Sequence, residues 1–295
     1  MRVLECNLAM IRYAGNNSKT SDMNKKELLE TLENFNMRPG KILGQNFLID
    51  NNLLDFIVRT ATPKRGEVIL EAGPGFGALT RPLLETGAEL YAIEFDRRLC
   101  EYLRDNIKAP NFHLVEGDAC RVDIASIIPE GKSFRAVANL PYSISSIFVA
   151  RLLELPKLPT QMLFMLQKEM AQRLAAKSNT KDYGSLSVRA QQLYDVKILR
   201  KVPPQVFHPR PQVDSALIEF TLRDRENPPD FESRMRLAGI AKVAFAQRRK
   251  KIFKPLAASY GAENVEHALK TLNISQDARP GELNVEDYEE MAKIL

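Results

Sequence analysis

The chain has 295 residues, 44% of them hydrophobic and 27% charged, enough to bury a sizeable core and too apolar for a disordered or low-complexity protein. No apolar run approaches the length of a membrane span, so a secreted or membrane reading has no support and a cytoplasmic protein is expected. The net charge of +5 is a mild bias toward a polyanionic partner, and Cys6, Cys100 and Cys120 form an odd set without metal-type spacing, as expected of reduced cytosolic thiols.

Residues 1–37 read as an N-terminal extension. A polar stretch at 15–18 precedes residues 25–35, where Leu28, Leu29 and Leu32 have helical spacing. Met23 could serve as an internal start, and the acidic Glu5, Asp22, Glu27 and Glu30 argue against an organellar presequence. Residues 40–48 place a polar pair, Gln45 and Asn46, behind glycines and ahead of an amphipathic helix with Leu53, Leu54, Ile57 and Val58 on one face. Such a segment is either a capped turn or a lid that meets a ligand.

Residues 68–80 predict a buried strand, a glycine turn and a helix start. The next strand, 90–96, carries Glu94 about twenty residues beyond the glycines, where a Rossmann-like unit reads a nucleoside through a carboxylate that accepts from both ribose hydroxyls. Alone, each half is a tight turn or a surface acid. The glycine order Gly73-x-Gly75-x-Gly77 departs from the G-x-G-x-x-G of dinucleotide folds, whose helix N-terminus faces a pyrophosphate, and suits a ligand without phosphate. A third strand, 112–119, ends in Asp118, suited to an exocyclic amine.

The fourth strand, 134–139, stops abruptly at Asn139-Leu140-Pro141-Tyr142. An amide oxygen on Asn139 can accept a hydrogen bond without carrying charge, and Pro141 leaves the Leu140 carbonyl free to take a second N–H from the same amine. Tyr142 follows, placed to stack on a base. Adenine N6 fits that pocket; the plainer alternative is a proline turn with a half-buried tyrosine. An amine acceptor beside a phosphate-free nucleoside site calls for an alkyl donor, and S-adenosylmethionine meets both requirements.

Beyond lie a helix at 145–155, a fifth strand and helix at 161–174, a helix at 184–193, and strands at 196–199 and 215–220 expected to pair antiparallel and close the sheet. The proline-rich loop between them, 202–211, presents Phe207 either as a clamp on the base face opposite Tyr142 or as a buried residue. After a linker at 227–230 everything reads helical, with eight Lys or Arg and no acid from Arg234 to Lys254. Arg248, Arg249, Lys250 and Lys251 are the candidate RNA-binding cluster there, against the alternative of a solvated face. The three scattered histidines form neither a zinc site nor a Ser-His-Asp arrangement, and no metal is expected.

Glu71-Ala72-Gly73-Pro74-Gly75, Asn139-Leu140-Pro141-Tyr142, residues 164–169, residues 183–188 and the 203–215 stretch together resemble the ribosomal RNA adenine dimethyltransferases, most closely their bacterial small-subunit branch. The likeness covers roughly residues 38–290 through independent motifs in the right order. It implies an α/β fold: a Rossmann-like class I S-adenosylmethionine-dependent methyltransferase domain over 38–226, with a smaller all-α C-terminal RNA-binding domain over 227–295. It further implies N6,N6-dimethylation of two neighbouring adenosines near the 3′ end of small-subunit rRNA, in the pre-30S or 30S particle, by a monomer that takes part in subunit maturation. Cofactor contacts carry over to Asn46, Leu48, Gly73, Glu94, Asp118 and Asn139. The residues around the reacting base carry over to Asn139, Leu140, Pro141, Tyr142 and Phe207. Two departures stand out: Leu43 where the family usually has an aromatic, and residues 251–255 where it commonly shows Thr and Asn. Rival readings are a large-subunit rRNA adenine methyltransferase of the antibiotic-resistance type, a non-catalytic RNA-binding or transcription factor on the same fold, and a DNA adenine methyltransferase.

Overall fold

A computed structural model describes residues 25–34 and 45–295. Met23, the candidate internal start, and the glycines of the opening motif, Gly40 and Gly44, lie outside the described residues, as does Leu43. In chain order the described elements begin with α1 (Lys25–Asn34), β1 (Phe47–Leu48), α2 (Asn51–Ala61), β2 (Val68–Ala72), α3 (Thr80–Glu85), β3 (Glu89–Glu94), α4 (Arg97–Asn106), β4 (Phe112–Glu116), α5 (Ile124–Ile127) and β5 (Phe134–Asn139). They continue with α6 (Ser145–Leu153), β6 (Gln161–Gln167), α7 (Lys168–Leu174), α8 (Ser185–Leu193), β7 (Tyr194–Val202), β8 (Phe207–His208) and β9 (Ser215–Leu222). Four helices close the chain: α9 (Phe231–Phe245), α10 (Phe253–Tyr260), α11 (Ala262–Thr271) and α12 (Val285–Ile294). None of the described helices is long and apolar enough to cross a membrane.

Seven strands form one sheet in the order β4-β3-β2-β5-β6-β9-β7. The first five in that order run parallel, whereas β9 is antiparallel to both β6 and β7. The expected antiparallel pair at 196–199 and 215–220 is therefore present at the sheet's far edge. Parallel strands are buried on both faces, which is why β2 is inaccessible along its whole length and apolar apart from the side chain of Glu71. The chain order reverses between β2 and β5, and open α/β sheets bind ligands at the strand ends beside such a switch point.

The C-terminal helices enclose a core of their own around Leu237, Ile240, Leu256, Val265, Leu269, Tyr288 and Met291, into which Tyr183 and Val188 of the sheet-bearing part also project. A second tie is Arg234 in the first turn of α9. Arg234, 4% exposed, donates through its guanidinium to the carbonyls of Leu153, the last residue of α6, and of Leu155 and Pro156 just beyond it, at 3.0 to 3.4 Å. Removing it leaves those carbonyls unsatisfied, so Arg234→Ala should lower stability by about 2 to 4 kcal/mol in urea titration. A loss below about 0.5 kcal/mol, the range of an ordinary surface substitution, would show that water replaces the guanidinium at no cost.

Candidate active site

The C-terminal ends of β2, β3 and β5 open into a cavity of about 320 Å³. Its wall begins with the glycine turn after β2. Gly73 and Gly75 have φ of +67° and +61°, and an added Cβ would come within 3.2 Å of the Pro141 ring at Gly73 and 3.1 Å of the Phe47 ring at Gly75. Any side chain at either position would be strained and crowded, so the turn can lie flat along the cavity only as glycine.

Glu94, the last residue of β3, is 5% exposed and is held by three backbone N–H groups: Gly75 donates to Oε2 at 3.1 Å, and Phe95 and Asp96 to Oε1 at 2.8 and 2.9 Å. Burial pushes its carboxyl above the ordinary range, and the same three bonds oppose that rise. Asp118 follows β4; its Oδ1 accepts from the Cys120 N–H at 2.8 Å, and its Oδ2 faces Arg121 at 3.4 Å. Both acids border the cavity, as do Asn46, Leu48, Gly73, Asn139, Leu140, Pro141 and Tyr142.

Asn139 ends β5, and its Nδ2 donates to the Asn46 carbonyl at 3.0 Å. With the nitrogen so engaged, Oδ1 is the acceptor the side chain has left to offer. Among the described residues no backbone N–H reaches the Leu140 carbonyl, while the Leu140 N–H donates to the Met165 carbonyl at 3.3 Å and fixes the turn. The Tyr142 ring borders the cavity, and its hydroxyl shares a 2.5 Å hydrogen bond with the buried Ser215 hydroxyl at the start of β9.

Asn46 and Leu48 reach the cavity through long-range pairing. β1 runs antiparallel to β8, Phe47 opposite His208 and Leu48 opposite Phe207, and the Ile49 N–H donates to the Val206 carbonyl at 2.9 Å. That pairing corrects the expectation of Phe207 as a base clamp. It turns the ring into the core, 1% exposed, among Leu48, Leu53, Ile57, Val137, Met165 and Leu217, away from the cavity lining. Phe207 instead anchors the strand that carries Asn46 and Leu48.

The basic cluster is also divided. Arg248 donates to the Thr180 carbonyl at 2.8 Å and to that of Lys181, and Lys251 pairs with Asp277 at 2.6 Å, so both bind within the protein. All four side chains, those of Arg249 and Lys250 included, are nonetheless exposed. Sequence reasoning passed over Phe95, which borders the cavity next to Glu94 while 61% exposed, and Leu28, which reaches the same cavity from α1. An apolar residue directly after a strand-tip acid was a readable signal for Phe95.

A parallel sheet with an antiparallel edge pair, a phosphate-free glycine turn and carboxylates at successive strand ends define a class I methyltransferase whose cofactor is S-adenosylmethionine. A family model described as ribosomal RNA adenine dimethylase matches residues 36–295, and the chain belongs to that family. Among curated relatives, the ribosomal RNA small subunit methyltransferase A of Thiobacillus denitrificans is 38% identical over 257 residues, 87% of this chain and 98% of that protein. The protein of the same name from Clostridium acetobutylicum is 36% identical over 261 residues, 88% of this chain and 94% of its own. Among solved structures, the 23S rRNA methyltransferase ErmE matches at TM-score 0.62 and 28% identity, covering 85% of this chain and 99% of that one. A dimethyladenosine transferase from Plasmodium falciparum, at TM-score 0.68 and 23% identity over 83% of this chain and 95% of its own, shares the fold.

Proposed function

We propose that the protein dimethylates N6 of two adjacent adenosines near the 3′ end of small-subunit rRNA, acting as a monomer on the pre-30S or 30S particle in the cytoplasm during subunit maturation. The observation that carries this reading is the engaged Asn139 amide on the cavity wall: its nitrogen is held by the Asn46 carbonyl, which leaves its oxygen as the acceptor the side chain can offer. The names of the 36–38% identical relatives support the small subunit as substrate.

The residues present fit the cofactor. Glu94 is placed to accept from a ribose diol, Asp118 to accept from an adenine amine, and Phe95 to cover an adenine face, around a cavity large enough for a nucleoside. When bound, S-adenosylmethionine supplies an electrophilic methyl carbon. Everything else is positioning. Asn139 Oδ1 and the Leu140 carbonyl accept the two N6 hydrogens, which turns the nitrogen lone pair out of conjugation with the ring and toward the methyl donor. Stacking on Tyr142, worth about 1 to 3 kcal/mol per base, holds a target that has left its own stack. No residue need remove a proton beforehand, because nitrogen becomes acidic as the new bond forms and water takes the proton. A monomethylated amine retains one hydrogen, so the second transfer relies on one acceptor where the first has two.

The deciding experiment is incubation with labelled cofactor and undermethylated small or large subunits, followed by mapping of the labelled bases. Two adjacent dimethyladenosines in small-subunit rRNA support the proposal; label confined to large-subunit rRNA assigns the chain to the other branch. RNA contact by the C-terminal helices of 227–295 falls mainly to Arg249 and Lys250, since Arg248 and Lys251 already have partners in the protein. Neutralising Arg249 and Lys250 together should weaken RNA binding and lower the slope of log K against log salt by roughly 1.5 to 2. An unchanged slope would move RNA recognition to another surface.

A further inference from the structure

The helix α1 precedes the stretch that the family model matches, residues 36–295, yet it is seated on the methyltransferase part of the molecule. Its Leu28 and Leu32 are 1% and 4% exposed and share one apolar cluster with Phe76, Leu99, Tyr102, Leu103 and Ile107. The other side of the helix is polar: Lys26 and Glu30 are exposed and paired at 3.8 Å. A ten-residue helix is marginal in water by itself, so this one owes its fold to that docking.

The surface it docks on is also the back of the ligand site. Phe76 directly follows Gly75, whose N–H holds Glu94, and Leu99 lies in the first turn of α4, whose N-cap is Asp96. Leu28 itself borders the cavity together with Gly75, Phe76, Glu94 and Leu99. We infer that α1 is a wall of the cofactor site: Leu28 closes the cavity on its Phe76–Leu99 side, and S-adenosylmethionine binding depends on the docked helix. Docking buttresses both segments that fix the Glu94 carboxylate and keeps water from that side. By linkage the dependence is reciprocal: whatever affinity the helix adds to the cofactor, the cofactor returns as stability of the docked helix. The inference rests on reading this cavity as the cofactor site.

Two measurements on the full chain test it. In calorimetric titration with S-adenosylmethionine, Leu28→Asp should bind at least about tenfold more weakly than the parent, as expected when a buried leucine contact is lost and a charge faces the docking surface. In hydrogen exchange on the unaltered protein, the amides of 25–34 should exchange more slowly once S-adenosylmethionine is bound. Equal affinity in Leu28→Asp, or exchange over 25–34 indifferent to the cofactor, overturns the inference. If Leu28→Asp does not fold, the exchange measurement on the unaltered chain decides. Glu94→Ala separates the two levels of the argument. A weakened Glu94→Ala beside an unaffected Leu28→Asp removes only the helix from the site, whereas an unaffected Glu94→Ala removes the cofactor from this cavity altogether.

Discussion

In Asn139→Ala the single-turnover rate of methyl transfer to undermethylated small subunits should fall about 100- to 1,000-fold, or roughly 3 to 4 kcal/mol, the usual cost of deleting one preorganised partner of a reacting group. In the proposed arrangement the amide at 139 can accept from N6 because its nitrogen is occupied by the Asn46 carbonyl 3.0 Å away. Alanine removes both bonds, and with them the force that turns the lone pair out of the ring. RNA affinity should change little, since the amide carries no charge and contributes nothing to the salt-dependent part of binding. Asn139→Asp is the sharper control. It keeps the acceptor oxygen but replaces the amide nitrogen with a second oxygen, which has no hydrogen for the Asn46 carbonyl and is repelled from it. It should therefore fail as badly as alanine, although it differs from the parent by little in shape. A transfer rate within a factor of ten of the parent in the alanine variant would remove Asn139 from the reacting nitrogen.

The strand tips were legible in the sequence for a general reason: open α/β sheets bind at the carboxyl ends of their strands, so an acid or amide closing an apolar run marks the site wherever the sheet forms. Glu94, Asp118 and Asn139 all stand where that rule places them, bordering one cavity. The antiparallel edge pair was legible too, since two β-rich runs joined by a stiff proline loop have few other ways to finish the sheet. Phe207 was not. Its fate is set by a two-residue pairing with residues 47 and 48, far upstream, and so short a contact leaves no local periodicity to read. The partners of the basic run were not legible for a related reason: its composition was plain, but that the exposed Arg248 also donates to the Thr180 carbonyl depends on packing between distant segments. Leu28 and Leu32 had visible helical spacing, yet spacing names an apolar face without naming what it covers.

Glu71 leads to the second large effect, and it is one of pH. The side chain sits inside β2, 1% exposed, accepts from the Thr80 hydroxyl at 2.8 Å, and is pushed up to about 8 by burial, with the Thr80 bond opposing the rise and the charge of Glu94 adding to it. An unfolded chain would titrate this group near 4.5. Below that value both states hold the proton and the group costs nothing. Between about 4.5 and 8 the unfolded state gives up its proton while the folded state keeps it, so stability falls as pH rises, by up to about 1.4 kcal/mol per unit. Above 8 both states are ionised and the full penalty is present. Glu71→Gln keeps an acceptor for Thr80 and cannot ionise, so urea titrations should find it gaining on the parent as pH rises, by roughly 3 to 5 kcal/mol between pH 4.5 and pH 9. Any cost of seating the extra amide hydrogens is independent of pH and cancels from that slope. Parallel curves for parent and variant would mean that the buried carboxyl ionises as freely as an exposed one. The expected divergence would instead mean that Glu71 is largely neutral at pH 7 and adds no full negative charge beside the cavity.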